Sequence, residues 1–343
     1  MWYEPVIDNW LLPNALMRLL VKLSITKYAR KISRLNADQI ESIRSIFRNK
    51  CTTGHLAINT DEANLQHYEV PTEFFKTILG TRMKYSGSYW NDNCQDLDDA
   101  DDKTLATYES RADIHNDQKI LDIGAGWGSM SLYLAEKYHD SQVTSVTNSS
   151  TQKEYIESVS NKRNIENLRV IKCDINKLDI TKKFDRIISI EMFEHTRNTK
   201  QLMGNVSNWL NPNGKLFIQV FSHKTHPHMF DDIEHSWLSR HFFTGGMMPY
   251  DGFYKDIPSP LSMIKSWTES GINYHLTLEA WLNTLESNKS NLVRKIQKSN
   301  HPTHPMVLIN RYKLFLLACS ELFKYNEGND WHLMNYLFKN QDI

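Results

Sequence analysis

Through the middle of this chain, apolar runs cut off by glycine or acid alternate with stripes of helical spacing. "KILDIG", beginning just after Asp117, is a short apolar run ending in glycine, and "SMSLYLAEKY" follows with apolar residues three and four apart. "QVTSVT" predicts the next strand and "SSTQKEYIESVSNKRNI" its helix; "LRVIKCD", "FDRIISIE" and "GKLFIQVF" predict further strands, the last entered through the turn "NPNG". Strand and helix alternating at this spacing predict a parallel sheet, with right-handed crossovers placing helices on both faces.

The flanks read differently. An amphipathic helix is predicted from about Asn14, packing on the body of the protein or, as the alternative, on a partner or membrane surface. "ARKISRLNADQIESIRSIF" sets Ile32, Leu35, Ile40, Ile43 and Ile46 at helical spacing, broken near "LNADQ" by cap-forming residues. The acidic run "DNCQDLDDADDK" reads as a solvated loop or helix start. Beyond Phe221 the alternation stops in a stretch rich in histidine and aromatics. Helix returns in "YKLFLLACSELFKYN", and "WHLMNYLFK" predicts a final strand. The expected organisation is a helical cap over residues 1–75 and one domain over 76–343, with its core at about 117–222 and an aromatic-rich substrate cover at about 223–310.

Composition narrows the function. In 343 residues, Lys+Arg and Asp+Glu number 40 each, so no net field draws the protein to nucleic acid. The apolar N-terminus is interrupted by Asp8, Asn9, Pro13, Asn14 and Arg18, which argues against stable membrane insertion. Cys51, Cys94, Cys173 and Cys319 are scattered and form no C-x-x-C pair, which favours a reducing cytoplasm. A small molecule is the expected partner; a homodimer is left open.

The turn "LDIGAGWGSMSLYL" carries the first chemical signal. Gly124, Gly126 and Gly128 let the backbone bend tightly and lie bare against a ligand. The third glycine comes one residue too early for the dinucleotide pattern G-x-G-x-x-G. Asp122, just before the first, suits an ammonium group better than a phosphate. Both departures favour S-adenosylmethionine (SAM), whose amino-acid end is zwitterionic and carries no phosphate. The second signal is "EMFEH", directly after a strand, where open parallel sheets build their sites. If a helical turn begins there, Glu191, Glu194 and His195 share one side.

With "MKYSGSYW", "LDIGAGWGSMSLYLAEKY", "VTNSSTQKEYI", "IISIEMFEH", "SHKTHPHMFDD", "HFFTGGMMPY" and "ACSELFKYNEGNDWHLMNYLFK" in this order, the sequence resembles coclaurine N-methyltransferase-like enzymes. These lie within the cyclopropane fatty acid synthase and mycolic acid methyltransferase superfamily, and the resemblance runs from "HYEVPTEFF" at His67 to the C-terminus. It implies an α/β, Rossmann-like class I SAM-dependent methyltransferase. It also implies that Tyr85 and Ser86 close over the methionine part of SAM, above a floor of Gly124 and Gly126. Thr147, Asn148 and Gln152 fall at the ribose, and Asp174 and Ile175 at the adenine edge. Glu191 lies beside the cofactor. The plainer alternative for Thr147 and Asn148 is to cap the helix that follows.

Transfer to an amine would need one group to bind the ammonium form and one to take its proton. Glu194 and His195 fit the pair of roles, and spacing leaves open which of them is the base. The aromatics Phe221, Phe230, Trp237, Phe242, Phe243, Tyr254 and Trp331 are expected to wall a substrate pocket. The alternative is methyl or methylene transfer to an unsaturated lipid. Relatives that do this carry Y-S-C-x-Y-W, whose cysteine forms a bicarbonate site with a glutamate and a histidine. Here the cysteine position is Gly87 and the histidine position aligns with Gln219, while Glu194 remains; N-methylation of a small amine is therefore preferred. His223, His226 and His228, with Asp231 and Asp232, form a weaker metal-like cluster, and no metal is expected.

Overall fold

The structure, a computed structural model, describes residues 3–58, 70–232, 237–299 and 301–340. His67–Glu69 of the resemblance segment therefore lie outside the described residues. Strands β1 (Lys119–Ile123), β2 (Gln142–Thr147), β3 (Leu168–Lys172), β4 (Phe184–Ile190) and β5 (Leu210–His223) are followed by the two-residue strands β6 (His228–Met229) and β7 (Met247–Met248). Then come β8 (Leu261–Glu269) and β9 (Trp331–Asn340). The main sheet has seven strands in the order β3-β2-β1-β4-β5-β9-β8, parallel from β3 to β5, with β9 antiparallel to both neighbours. β6 and β7 pair separately. The strand order reverses beside β1, between β1 and β4, so a ligand crevice opens at their carboxyl ends.

β1 is buried along nearly its whole length because helices cover both faces of the sheet. Side-chain alternation divides the interior: Ile120, Ile188 and Phe217 face one core, and Leu121, Ile187, Leu216 and Ile218 the other. The predicted final strand is β9, inserted between β5 and β8. β8 itself was not expected from the sequence. It is a sheet edge with mostly exposed or half-buried residues, so it lacks the apolar run of a central strand.

The N-terminal helices are α1 (Glu4–Asp8), α2 (Asn14–Ile32), α3 (Ala37–Lys50) and α4 (Thr72–Ile78). The break near "LNADQ" is a capping box in which Asn36 and Gln39 each accept the other's backbone N–H. α5 (Leu97–Arg111) begins in the acidic run, N-capped by Asp96. The run is not wholly solvated: Asp101 is buried, accepts from Ser88 Oγ at 2.5 Å, and is pushed up to about pKa 6 by burial. α6 (Ser129–Lys137), α7 (Ser150–Lys162) and α8 (Thr199–Trp209) are sheet crossovers; the short α9 (Trp237–His241) and α10 (Phe253–Asp256) follow β5. α11 (Gly271–Ser287), α12 (Lys289–Lys298) and α13 (Pro305–Lys324) complete the fold. Arg18 of α2 fastens the N-terminal helices to this last group, pairing with Glu279 of α11 and Glu321 of α13, each at 2.7 Å.

Candidate active site

The glycine turn leaves β1 with Gly124, Gly126 and Gly128 at φ +75°, +55° and +78°. At Gly126 an added Cβ would meet nothing within 4 Å, so bare backbone faces open space. At Gly124 it would lie 2.4 Å from Met192 Cγ, so only glycine lets the strand ends approach. Asp122 is not at this surface. Its carboxylate accepts from the Ser131 hydroxyl at 2.6 Å and from the Ser131 backbone amide, tying β1 to the first turn of α6. Burial raises its pKa to about 6. The expectation that Asp122 meets an ammonium group is therefore corrected: the side chain is committed to the turn's own architecture.

After β4 the chain does not enter a regular helix. Glu191 sits in the left-handed region at φ +48°, and the turn over Phe193–His195 is a single 3₁₀ turn. The three titratable groups consequently do not share one side. Glu191 Oε1 accepts from the Gly87 amide and from Gln219 Nε2, each at 2.9 Å, and Oε2 accepts from the Tyr274 hydroxyl at 2.8 Å. Burial raises its pKa, opposed by the Lys84 charge and by these donors. Glu194 is fully buried, with Oε1 accepting the Phe221 amide at 2.7 Å. Burial, reinforced by the charge on Glu191, holds its pKa well above the usual carboxylate range. Burial brings His195 down to about 4, so its imidazole is neutral near pH 7.

Two cavities meet at this turn. One is lined by Gly124, Gly126, Thr147, Asn148, Asp174 and Ile175, roofed in part by Ala57, Ile58 and Thr244. The other, of about 340 Å³, is predominantly apolar and within the usual range of small-molecule sites. Glu191 and His195 are the residues common to both walls. Glu194 lines neither and stands behind Phe221.

Most residues expected around a nucleotide-like ligand thus gather in the first cavity. Ser149, rather than Thr147 or Asn148, caps α7, leaving those two at the cavity wall. Gln152 lies just behind: its Oε1 accepts from Thr147 Oγ1 at 2.5 Å, and its buried Nε2 has no partner. An unpaired buried donor beside a cavity marks a place where a ligand oxygen fits. Open space over Gly126, this donor and the Asp174 carboxylate suit a hydroxyl- and amine-bearing cofactor such as SAM. Tyr85 lines the apolar cavity instead. Ser86 lines neither; its carbonyl accepts from Lys84 Nζ at 3.1 Å.

Phe221, Phe230, Phe243 and Trp331 line the apolar cavity as expected. Trp237, Phe242 and Tyr254 do not. Phe242 stacks on Phe315 at 4.3 Å between ring centres, Trp237 packs on Phe242, and Tyr254 packs against Phe193 and Tyr336 in the other core. Sequence reasoning missed three helices of the wall. α2 supplies Ser24, Ile25 and Tyr28; α11 supplies Tyr274, Leu278 and Trp281; α13 supplies Phe315, Cys319, Leu322 and Phe323. The α11 and α13 sets recur at three- and four-residue intervals, a visible stripe that periodicity alone assigns to packing.

Gly87 and Gln219, the two positions the resemblance set against a lipid substrate, are tightly packed. An added Cβ at Gly87 would lie 2.9 Å from both Leu333 Cδ1 and Tyr274 Cγ, so a cysteine does not fit without displacing them. Gln219 is locked: besides reaching Glu191, its Oε1 accepts from Tyr89 at 3.0 Å and from Tyr108. The carboxylate meeting these two positions is Glu191, not Glu194. In the histidine-rich segment, His223 Nδ1 accepts the backbone amides of Thr225 and His226, and no group of three or more acidic, His or Cys residues among the described residues is arranged to hold a metal.

Fold and site together define a SAM-dependent methyltransferase, and comparison with known proteins refines the class. Residues 57–333 match the family described as mycolic acid cyclopropane synthetase, and the chain belongs to that family. It is 35% identical over 290 residues to (S)-coclaurine N-methyltransferase of Thalictrum flavum subsp. glaucum, covering 83% of this chain and 80% of that one. Cyclopropane-fatty-acyl-phospholipid synthase of Escherichia coli (strain K12) is 28% identical over 63% of this chain and 54% of its own. The solved structure of a coclaurine N-methyltransferase bound to N-methylheliamine and SAH superposes with a TM-score of 0.93 at 29% identity, covering 98% of each chain.

Proposed function

We propose that the enzyme uses SAM to methylate the nitrogen of a small apolar amine, aromatic or alkaloid-like, held in the 340 Å³ cavity. The observation that carries this reading is the presence of Glu191 and His195 in both walls, so that one carboxylate and one imidazole face the junction where donor and acceptor would meet. The likeness to N-methyltransferases across nearly the whole chain supports it. SAM, when bound, supplies a methyl group on a positively charged sulfur.

In the cofactor cavity, Gly124 and Gly126 offer bare backbone, while Thr147, Gln152 and Asp174 offer polar atoms. Glu191, already oriented by Gly87, Gln219 and Tyr274, aligns the amine nitrogen through the one lone pair left on Oε2. His195 would take the proton the nitrogen loses as the new N–C bond forms and the methyl's bond to sulfur breaks, with S-adenosylhomocysteine leaving as the neutral thioether. Its neutral imidazole is the competent form at neutral pH. Glu194 acts from behind, holding the Phe221 backbone, so the ammonium-binding role expected of it passes to Glu191. The aromatic wall excludes water and favours a cationic or aryl guest. A screen of amines, phenols and unsaturated phospholipids with methyl-labelled SAM tests the proposal: label in an amine is expected, and label confined to lipid overturns it.

A further inference from the structure

α2 carries an outward stripe that the fold does not use. Leu16, Leu19, Leu20 and Leu23 are 39–57% exposed; among the described residues the other comparably exposed large hydrophobics are Leu11, just ahead of the helix, Ile46, Ile264 and Leu276. Leu16, Leu19, Leu20 and Leu23 follow the i, i+3, i+4, i+7 spacing of one helix face. Lys27, Arg30 and Lys31 continue that face one turn further on. These three and Lys22 are exposed and form no ion pair among the described residues. From Asn14 to Ile32 the helix has no acidic residue, and its remaining cation, Arg18, is already held by Glu279 and Glu321. The chain's formal charge is zero, so this basic end is a local feature.

We infer that α2 docks the enzyme reversibly on an anionic lipid surface, leucines entering the acyl boundary and cations meeting the headgroups. Leucines running directly into unpaired cations along one helix face match that two-layered surface. A second copy is a poorer match, since neither helix offers a carboxylate to the other's cations. Docking stays interfacial, because no helix among the described residues is long and apolar enough to cross a membrane. The same helix borders the substrate cavity: exposed Ser24 lies at its rim, with Ile25 and Tyr28 further along its wall. A docked enzyme would therefore take an amphiphilic amine directly from the lipid interface. That consequence rests on the proposed amine substrate, whereas docking itself does not.

The test is sedimentation of the full chain with phosphatidylcholine vesicles, with and without phosphatidylserine. Phosphatidylserine is expected to raise binding at least ~10-fold, and added salt to abolish most of that gain. The variants Lys27→Glu/Arg30→Glu and Leu19→Ser/Leu23→Ser should each lose ~10-fold or more of the binding while keeping vesicle-free methyl transfer, which reports an intact fold. Binding indifferent to phosphatidylserine overturns the inference. So does a dimer dispersed by Leu19→Ser/Leu23→Ser in a protein that ignores both vesicles, since the leucine face would then join two copies.

Discussion

Gln219 holds Glu191 at two points: its carbonyl accepts the Glu191 amide at 2.8 Å, and its side-chain amide donates to Glu191 Oε1 at 2.9 Å. Backbone and side chain of the carboxylate are thus fixed by one residue of the neighbouring strand. Gln219→Leu keeps the backbone contact and deletes the other. A hydrogen bond to a charged group contributes about 1.5–3 kcal/mol, so kcat is expected to fall by ~10-fold or more. SAM binding by calorimetry should change far less. Unchanged kcat would show that Glu191 needs no such support.

The division of labour at "EMFEH" predicts unequal losses. His195→Ala and Glu191→Gln should each lower turnover ~100-fold, the scale of a lost acid–base or orienting group. Glu194→Gln should be milder, because its side-chain carbonyl can still accept the Phe221 amide. Steady-state kinetics on the best amine from the screen decides this; a Glu194→Gln loss equal to that of Glu191→Gln would return Glu194 to the reacting centre.

Space at Gly87 predicts the outcome of restoring a lipid-enzyme residue. Gly87→Cys drives a side chain toward Tyr274 and Leu333, and overpacking of this kind costs about 1–3 kcal/mol. Denaturant melts should register the loss, and the variant should gain no transfer to unsaturated phospholipid. Gain of lipid labelling would mean that this single position separates the two chemistries.

Two buried histidines set a pH dependence. Burial brings His223 and His228 down from 6.5 to about 3, and each uses its unprotonated ring: His223 Nδ1 accepts two amides, and His228 Nδ1 pairs with the Tyr28 hydroxyl at 3.1 Å. Between those values the unfolded chain binds more protons than the native one. Their contribution is therefore complete above pH 6.5 and is lost as pH falls toward 3. Asp101 and Asp122, raised to about 6, act in the opposite sense over pH 6 to 3.8, so variants are needed to isolate the histidines. The fall in Tm between pH ~7 and ~5 should be smaller in His223→Gln/His228→Gln than in the native chain. An equal fall would clear the histidines.

A buried cation underlies the loop that reaches Glu191. Lys84 Nζ donates to the carbonyls of Ser86 and Gly87 at 3.1 and 2.6 Å and to Ser88 Oγ at 3.1 Å. Burial lowers it to about pKa 8, with Asp101 and Glu191 opposing. Lys84→Met strips these acceptors and leaves Asp101 without its counter-charge, a loss of about 3–5 kcal/mol. Chemical denaturation measures it, and near-native stability would show that the loop holds itself.

β1 and β4 were the most legible strands because each is a buried apolar run closed by glycine or acid, in "KILDIG" and "FDRIISIE". β8 was not legible, because an edge strand shares its water-facing character with loops. Gly124, Gly126, Thr147, Asn148, Asp174 and Ile175, named from motif order, line one cavity together, whereas Asp122 lies away from it, since a strand-end acid can equally brace the next helix. The substrate wall was least legible. Phe243 and Phe242 are adjacent, alike and both in contact with Phe315, yet Phe243 stacks on Phe230 at the cavity wall while Phe242 stacks on Phe315 away from it; only the tertiary packing separates them.

Arg18 precedes both of its carboxylate partners by more than 250 positions along the chain. During synthesis, Arg18 therefore waits almost to the end of the chain for its second partner, although Tyr28 of the same helix meets His228 earlier. A chain cut short before Glu321 would therefore lack both this second clasp on α2 and β9, the strand that joins β5 to β8 in the main sheet.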